Sequence, residues 1–442
     1  MAKSGKMIGV AAATAVGLGA IIGAGIFVLS GSAIAMAGAD SLIAFVLVGI
    51  VAFIIALQLG ELGSMMPKEE GASYSYTYKA MGSEMGFISG IMRSVSLSTS
   101  ISAIALGFGS YLASMMGFSI GVYAIPFAIL LILVLSLVNI FGVKKAAEAD
   151  LGLVAIKILI LLIFVAFAMY FAISHMYIPS SSFALDFSGK GLSGIFAASV
   201  AIIFAYSGFQ SISTLTDRIK GGTKGYIKAL MGAVAISIII YLLVVVALLL
   251  LNPPSAYTIN ADPLAFALKH SGAPQYLLLI IDIGALIATV SATIAMILTA
   301  SRSFYQMGVD GLLPASLKKY DKKRDSAING IIISAVIGIA MLFAGNVYVI
   351  AAISNFGLLF NYLVVGFDVI HFRRAGKKAP FQTPLYPYVT IIGIIAILLL
   401  FVGMPKEALI FGSVLIMLLI VLYYSLREIK MKKPVYIRLF DG

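Results

Sequence analysis

The sequence predicts an all-α, polytopic membrane protein with about 12 transmembrane helices, and three observations carry this prediction. Of its 442 residues, 61% are hydrophobic and only 11% are charged, which is too apolar for a soluble domain. The apolar residues form long runs instead of the short alternations of half-buried strands. Lysine and arginine collect between alternate runs. Because a helix needs roughly 20 apolar residues to cross the hydrocarbon core, each run is interpreted as a membrane span.

Twelve such runs are bounded by charged residues, proline or asparagine. In order they are 8–37, 41–66, 84–116, 121–141, 150–174, 191–216, 226–251, 274–307, 327–345, 347–370, 386–404 and 406–427. The first run could be mistaken for a secretory signal, but it is longer than an h-region and another span follows it directly. We therefore expect it to be retained.

The basic residues predict the orientation of the chain. If the N-terminus lies in the cytoplasm, 25 of the 30 Lys and Arg residues fall on the cytoplasmic side and three on the outer side. The remaining two, Arg93 and Lys157, lie within spans. Short cytoplasmic loops retain positive charge, so both termini are predicted to be cytoplasmic in a multi-pass protein of the plasma membrane. The net charge of +12 therefore reflects topology and contact with lipid and gives no reason to expect nucleic acid.

Composition also excludes several kinds of chemistry. The chain has no cysteine and only three scattered histidines, so neither disulfides nor a metal site are expected. No nucleophile or acid and base constellation suggests an enzyme, and no cofactor motif is present. The absence of a GxxxxGK motif argues against a primary pump. The sequence does not indicate the oligomeric state.

Two runs contain breaks in the helical pattern. The first run includes "GLGAIIGAGIF", with four glycines between Gly17 and Gly25, and the sixth includes "IFAYSGFQS", where Ser207 and Gly208 interrupt apolar residues. Glycine costs about 1 kcal/mol relative to alanine within a helix. Lipid cannot satisfy loosened backbone, so unwinding is tolerated only against protein or a cavity. The paired breaks predict a binding site, and close helix packing is the alternative for the glycines.

Helices broken in the membrane offer N–H groups to an anion and C=O groups to a cation, and an amino acid carries both charges. We expect its carboxylate on the amides of Gly23, Ala24 and Gly25. The carbonyls expected to bind its ammonium are those of Ile21, Ile22, Phe204, Ala205 and Ser207. Phe204, Tyr206 and Phe209 are candidates for a lid over the substrate side chain, with simple packing as the alternative.

Five ordered motifs extend this interpretation along most of the chain. They are "GLGAIIGAGIFVLSG", "LGELGSMMPKEEGASYSYTYKAMG", "FAYSGFQS", "ASRSFYQMGVDGLLP" and "AAISNFGLLFNYLVV". Together they resemble the amino acid, polyamine and organocation (APC) transporter superfamily, most closely its cationic amino acid transporter-type branch. The resemblance implies a leucine-transporter-like fold, with residues 1–174 and 191–372 as inverted repeats and 386–442 as two further spans and a tail. It implies secondary active amino acid transport by alternating access, with amino acid exchange or polyamine transport as alternatives.

Lys157 is an ionisable residue in the apolar stretch "LGLVAIKILILLIFV" of the fifth run. Such a group costs roughly 2.5 to 3.5 kcal/mol at the centre of an inserted helix. In the resembling family, a lysine at the matching position takes the place of a sodium ion between spans 1, 5 and 8. This implies proton-coupled and sodium-independent transport. The alternative is that Lys157 extends to the cytoplasmic interface.

Three other intramembrane charges have no assigned role. Glu61 is a candidate for a gate or loop anchor at the inner end of span 2, and Arg93 of span 3 is a candidate partner for it. Asp282, near the outer end of span 8, either attracts cationic substrates or has no ligand role.

Overall fold

The computed structural model describes residues 7–66, 73–142, 146–175, 183, 191–209, 212, 219–321 and 323–429, and nearly all of this part of the chain is helical. The α-helices are α1 (Val10–Ile21), α2 (Ala24–Ala37), α3 (Ser41–Met65), α4 (Ser73–Met81), α5 (Ser83–Met115), α6 (Ile120–Phe141), α7 (Ala146–Ser174), α8 (Gly191–Tyr206), α9 (Gly222–Leu251), α10 (Pro263–His270), α11 (Gln275–Val309), α12 (Ile328–Met341), α13 (Val347–Arg374), α14 (Tyr388–Val402) and α15 (Lys406–Ile429).

Each of the twelve predicted runs contains at least one helix, and the all-α fold class is confirmed. Within the described residues, eight helical stretches are long and apolar enough to cross a membrane, and the first of them joins α2 to α3. The shorter apolar helices are α1, α8, α12 and α14. Helix α1 is short because its run is interrupted, as the glycine-rich stretch predicted. The last part of the predicted tail, residues 430–442, lies outside the described residues.

The two helices α5 and α13 form the centre of the bundle, and most of their surface is buried against other helices. Helix α15 lies at the periphery and exposes apolar side chains such as Ile410, Met417 and Val421. A helix that is apolar on its outer face matches a hydrocarbon environment. The arrangement therefore shields the centre of the bundle and presents apolar side chains where lipid is expected.

Local chemistry sets several helix ends. The side chain of Asn346 accepts a hydrogen bond from the backbone N–H of Val349 (3.0 Å), which caps the first turn of α13. Helix α5 follows Gly82, whose φ of 86° lies in the left-handed region that favours glycine. This glycine allows the chain to turn sharply from the short helix α4 into α5.

The segment before α1 is tied to the segment after α8. Ile8 and Ile219 form an isolated parallel bridge, and the N–H of Lys220 donates to the carbonyl of Ile8 at 2.8 Å. Both segments lie at the ends predicted to be cytoplasmic. The bridge therefore connects the inner ends of the two runs that contain the breaks.

Candidate functional site

The break in the first run consists of two residues. Helix α1 ends at Ile21, and the N–H of Ile22 still donates to the Leu18 carbonyl at 2.6 Å. The N–H of Gly23 turns back to the carbonyl of Ile21 at 2.7 Å, and α2 begins at Ala24. These residues are buried. The predicted interruption is therefore present, and its backbone lies inside the protein where lipid cannot reach it.

The break in the sixth run follows the end of α8 at Tyr206. The Ser207 hydroxyl donates to the carbonyl of Phe204 at 2.7 Å, and the Ser207 N–H lies 3.2 Å from the same oxygen. Gly208 has a φ of 116°. This positive angle is accessible to glycine at little cost and turns the chain out of the helix. Residues 210–211 and 213–218, which include the end of the predicted run, lie outside the described residues.

The two breaks interlock through backbone contacts. A Cβ atom added to Gly25 would lie 2.4 Å from the Cα of Ala205, so α2 approaches α8 as closely as glycine permits. A Cβ atom on Gly208 would lie 2.3 Å from the carbonyl oxygen of Ala20 at the end of α1. Gly25, in the first turn of α2 just after the first break, and Gly208 of the second break therefore each pack against the backbone of the other run. Neither glycine can gain a side chain without movement of main chain.

The glycines of the first run do not all have the same environment. A Cβ on Gly17 or Gly19 would meet a neighbouring side chain at 2.2 Å or 2.1 Å, the latter being Val154 of α7. At Gly23 the nearest atom would be the Cβ of Ala292 on α11, at an ordinary contact distance of 3.4 Å. Close packing accounts for Gly17, Gly19 and also Gly25, whereas Gly23 has room around it.

Tyr241 of α9 connects the two breaks, and the sequence did not single it out. Its fully buried hydroxyl lies 2.8 Å from the carbonyl oxygen of Ile21 and 2.9 Å from that of Ala205. A phenol has one proton and can fully satisfy only one of two acceptors. The carbonyl oxygens of Ile21 and Ala205 therefore converge on the Tyr241 hydroxyl and share its single proton, so they can accept hydrogen bonds from a further donor. A tyrosine in an otherwise apolar run was the one signal available in the sequence.

The aromatic residues beside the second break point toward different helices. The Tyr206 hydroxyl lies 3.4 Å from the Phe45 carbonyl of α3, and its ring meets that of Tyr241 edge to face at 5.0 Å. Phe209 stacks on Tyr362 of α13, with ring centroids 5.8 Å apart. Phe204 is buried on α8. Tyr206 thus packs against α3 and α9, and Phe209 packs against α13.

Lys157 lies inside the bundle. Its side chain is 1% exposed, and its Nζ donates to the Ser291 hydroxyl of α11 at 2.8 Å. The next residue on α11 is Ala292, which faces Gly23 at the first break. The ammonium group therefore connects the fifth and eighth spans at the level of the break in the first span.

The other intramembrane charges have separate partners. Glu61 accepts hydrogen bonds from Arg373 of α13, at 2.5 Å from Nε and 3.1 Å from Nη2, and from the N–H of Thr383 at 2.8 Å. The expected pairing of Glu61 with Arg93 is wrong, because Arg373 on the neighbouring helix occupies that carboxylate. Arg93 instead donates to the hydroxyl of Ser73 on α4 at 2.9 Å.

Asp282 is buried on α11, and its Oδ1 has no hydrogen-bond partner. It lies close enough to Asp262 and Lys269 to interact with both electrostatically. Asp262 is in the loop before α10, where burial raises the pKa of its carboxyl group and Lys269 opposes that rise. Asp282 of α11 and Asp262 of the loop before α10 are therefore two buried carboxyl groups that interact with each other, and Lys269 interacts with both.

A polytopic helical protein whose two broken helices meet in its core has the architecture of a secondary transporter. The chain belongs to the amino acid permease family, whose pattern matches residues 13–435. It is 28% identical to the methylthioribose transporter of Bacillus subtilis over 86% of this chain and 84% of the relative. It is 29% identical to the branched-chain amino acid permease BcaP of Lactococcus lactis over 95% and 94%. It is 26% identical to the vacuolar cationic amino acid transporter 4 of Arabidopsis thaliana over 81% and 62%.

The family match confirms the resemblance to the APC superfamily. The chain is a multi-pass membrane protein that transports amino acids, and it is a transporter, not an enzyme.

Proposed function

We propose that this chain is a proton-coupled, sodium-independent amino acid transporter that works by alternating access around the breaks of the first and sixth runs. Residues 1–174 and 191–372 would form the inverted repeats, and residues 386–442 the two further spans and the tail. Both termini would face the cytoplasm, at the plasma membrane. Exchange of one amino acid for another, or transport of a polyamine, is the alternative within the same fold.

The proposed substrate site uses main-chain atoms of both breaks. The substrate carboxylate would bind the amides of Gly23, Ala24 and Gly25. The amides of Ala24 and Gly25 open α2 and have no partner within the helix, and that of Gly23 would turn from the Ile21 carbonyl to the substrate. Its ammonium would bind the carbonyls that converge on Tyr241. An ammonium brings three N–H donors to acceptors that now share one hydroxyl proton, which supports this placement.

The surroundings of the breaks favour an amino acid with an uncharged side chain. None of the four helices that supply or brace the breaks, α1, α2, α8 and α9, carries an aspartate or glutamate. A cationic side chain buried there would find no carboxylate on these helices, and an unpaired buried charge is costly. We therefore propose apolar amino acids as substrates, in line with the name of the branched-chain permease relative.

The location of Lys157 is the observation that carries the proposed proton coupling. Its Nζ is buried, and its partner Ser291 is adjacent in the chain to Ala292, the residue that faces Gly23. A lysine in this position can link α7 to α11 when it is protonated. It would release Ser291 when it loses the proton, because a neutral amine is the weaker donor. Substrate binding and proton binding would then favour the same conformation.

Uptake into proteoliposomes tests the proposal. We expect accumulation of a branched-chain amino acid without sodium, driven by an inward proton gradient and competed by apolar amino acids but not by arginine or a polyamine. Methylthioribose serves as a further competitor because one relative is named for it. Lys157→Ala should bind substrate but lose accumulation and its pH dependence. An absolute sodium requirement in the wild type, or unchanged pH dependence in Lys157→Ala, would contradict proton coupling through Lys157. Counterflow without net accumulation would favour exchange.

A further inference from the structure

Asp368 is a buried carboxyl group that the proposed transport cycle does not use. It lies on α13, its side chain is fully buried, and its Oδ2 lies 2.8 Å from the hydroxyl oxygen of Thr77 on α4. Its other oxygen, Oδ1, is buried and has no hydrogen-bond partner. An ionised carboxylate usually accepts several hydrogen bonds when it is buried, because its charge has lost the surrounding water. Among the described residues, the Thr77 hydroxyl is the one hydrogen-bond partner of the Asp368 carboxyl group.

The Thr77 hydroxyl, which makes this contact, also lies close to a second acceptor. The hydroxyl oxygen of Thr77 also lies 3.1 Å from the carbonyl oxygen of Ser73, one turn earlier in α4. Thr77 has one proton and can donate to only one of the two acceptors. If Asp368 carries a proton on Oδ2, it donates to Thr77 and Thr77 donates to Ser73, so both short contacts are hydrogen bonds. If Asp368 is ionised, one of the two contacts places oxygen lone pairs against each other.

Within the part of the chain that the structure describes, no cation forms an ion pair with Asp368. The titratable groups with described side chains on the elements packed against this part of α13, and on α13 itself, are Glu61, Tyr74, Tyr76, Tyr78, Lys79, Glu84, Arg93, Tyr206, Tyr362, His371, Arg373, Arg374, Tyr388, Tyr423 and Tyr424. Across the described residues, none of them forms an ion pair with Asp368. The nearest arginine along α13, Arg373, is engaged by Glu61. Arg93 donates to the hydroxyl of Ser73, one turn before Thr77 on α4, at 2.9 Å.

We propose that Asp368 is a proton-binding site, distinct from Lys157, that holds a proton in this conformation and thereby fastens α4 to α13. The proton is the ligand, and the acceptor of its hydrogen bond is the Thr77 hydroxyl. The site does not depend on Lys157 and would exist even if transport were not driven by protons.

The proposal predicts how the contact between α4 and α13 changes with pH. Below the pH at which Asp368 titrates, the bond from Asp368 to Thr77 joins the loop helix α4 to the core helix α13. As the pH rises the proton leaves, and the buried charge drives α13 and α4 apart so that water can reach the carboxylate. Helix α4 follows the second span on the side predicted to be cytoplasmic. Release of this proton would therefore accompany opening of that side.

Infrared spectroscopy of the full-length protein in lipid tests the protonation directly. At low pH, the wild type should show a C=O stretching band of a buried carboxylic acid, and this band should decrease as the pH rises. Asp368→Asn should lose that band, because an amide cannot contribute it, while its amide group can still donate to Thr77. Asp282→Asn is the matched control, since it removes another buried carboxyl and should leave the Asp368 band in place.

A second pair of variants keeps the test independent of Asp368→Asn folding. Thr77→Val removes the acceptor at nearly constant volume and should shift the frequency of the band, whereas Thr77→Ser keeps the hydroxyl and should not shift it. A band that persists unchanged in folded Asp368→Asn would overturn the proposal. So would identical band frequencies in Thr77→Val and the wild type. Loss of pH-dependent uptake in Lys157→Ala with the Asp368 band intact would separate the two proton sites.

Discussion

At two buried places in this protein, one hydroxyl group lies within hydrogen-bond distance of two oxygen atoms. The Tyr241 hydroxyl faces two carbonyls, and the Thr77 hydroxyl faces a carbonyl and a carboxyl group. In both places one hydroxyl proton is shared between two oxygens, although the Ile21 carbonyl also accepts the N–H of Gly23, so there is room for a further donor. For Tyr241 that donor is the proposed substrate ammonium, and for Thr77 it is the proposed proton of Asp368.

Tyr241→Phe should destabilise the protein and weaken substrate binding. The substitution removes the donor that the two buried carbonyls share, at a cost of about 1 to 3 kcal/mol, while the Ile21 carbonyl keeps the N–H of Gly23. Tyr257→Phe is a matched control, because it removes another buried hydroxyl that donates to a carbonyl, that of Leu248, away from the breaks. Apparent melting temperatures should fall in both variants, whereas the ligand-induced rise should shrink only in Tyr241→Phe. An equal loss of ligand response in both would remove Tyr241 from the site.

Gly23→Ala and Gly25→Ala should have different effects. The added methyl group at Gly25 would meet the Ala205 backbone at 2.4 Å, and overpacking of this kind costs about 1 to 3 kcal/mol, so expression and melting temperature should fall. At Gly23 the methyl group has a normal contact at 3.4 Å, so the variant should fold and lose substrate affinity through its position at the break. Measurement of binding together with thermal stability distinguishes them. Wild-type stability in Gly25→Ala would contradict the interlock.

At the scale of helices, a few polar contacts join elements that are distant in the sequence. Glu61 fixes the end of α3 to α13 through Arg373 and to the following loop through the N–H of Thr383. Lys157 joins α7 to α11. Because these groups lie between apolar helices, each contact fixes how two helices pack more specifically than apolar side chains alone would.

Arg373→Gln should cost about 3 to 5 kcal/mol, because it leaves the buried Glu61 charge without its cation. Glu61 is 1% exposed and Arg373 is 17% exposed, so solvent screens the pair weakly. Arg302→Gln is the control, since the ion pair of Arg302 with Asp325 is exposed on both sides and should contribute no more than about 1 kcal/mol. Thermal unfolding in detergent should show a large decrease for Arg373→Gln only. Similar decreases would indicate that the Glu61 pair is not a structural clamp.

The positions of the helices follow from the sequence because long apolar runs have few alternatives in a bilayer. The breaks were also predictable, since glycine and serine interrupt both runs. The sequence could not separate Gly23 from Gly25, because the difference lies in which helix faces each of them. Arg93 was a candidate partner for Glu61, but the partner is Arg373 from a span far along the chain. Asp368 lies close to the basic end of its span, where a charge suggests an exposed residue, so its burial does not follow from the sequence.

At the scale of the whole molecule, an even number of spans with basic loops on alternate sides predicts that both termini are cytoplasmic. The bridge between Ile8 and Ile219 is consistent with this topology, since it joins two segments placed on the same side. The orientation itself remains a prediction from charge.

Cysteine labelling tests the orientation, and the natural chain is already free of cysteine. Ser119 precedes α6 on the predicted outer side, Ser316 follows α11 on the predicted inner side, and both are exposed. In intact cells, a membrane-impermeant thiol reagent should label Ser119→Cys and leave Ser316→Cys unlabelled until the membrane is permeabilised. The opposite pattern would invert the topology. The parent protein gives the background signal in the same assay.

The interlock of Gly25 with Ala205 and of Gly208 with Ala20 has a consequence for how this protein can evolve or be engineered. Substitutions at Gly25 and Gly208 disturb main-chain packing before they alter specificity, so random mutagenesis at these two positions should mostly yield inactive variants. The stacked rings of Phe209 and Tyr362 do not take part in these two glycine contacts. Libraries that seek a new substrate preference should therefore diversify that aromatic pair and hold the small residues of both breaks constant.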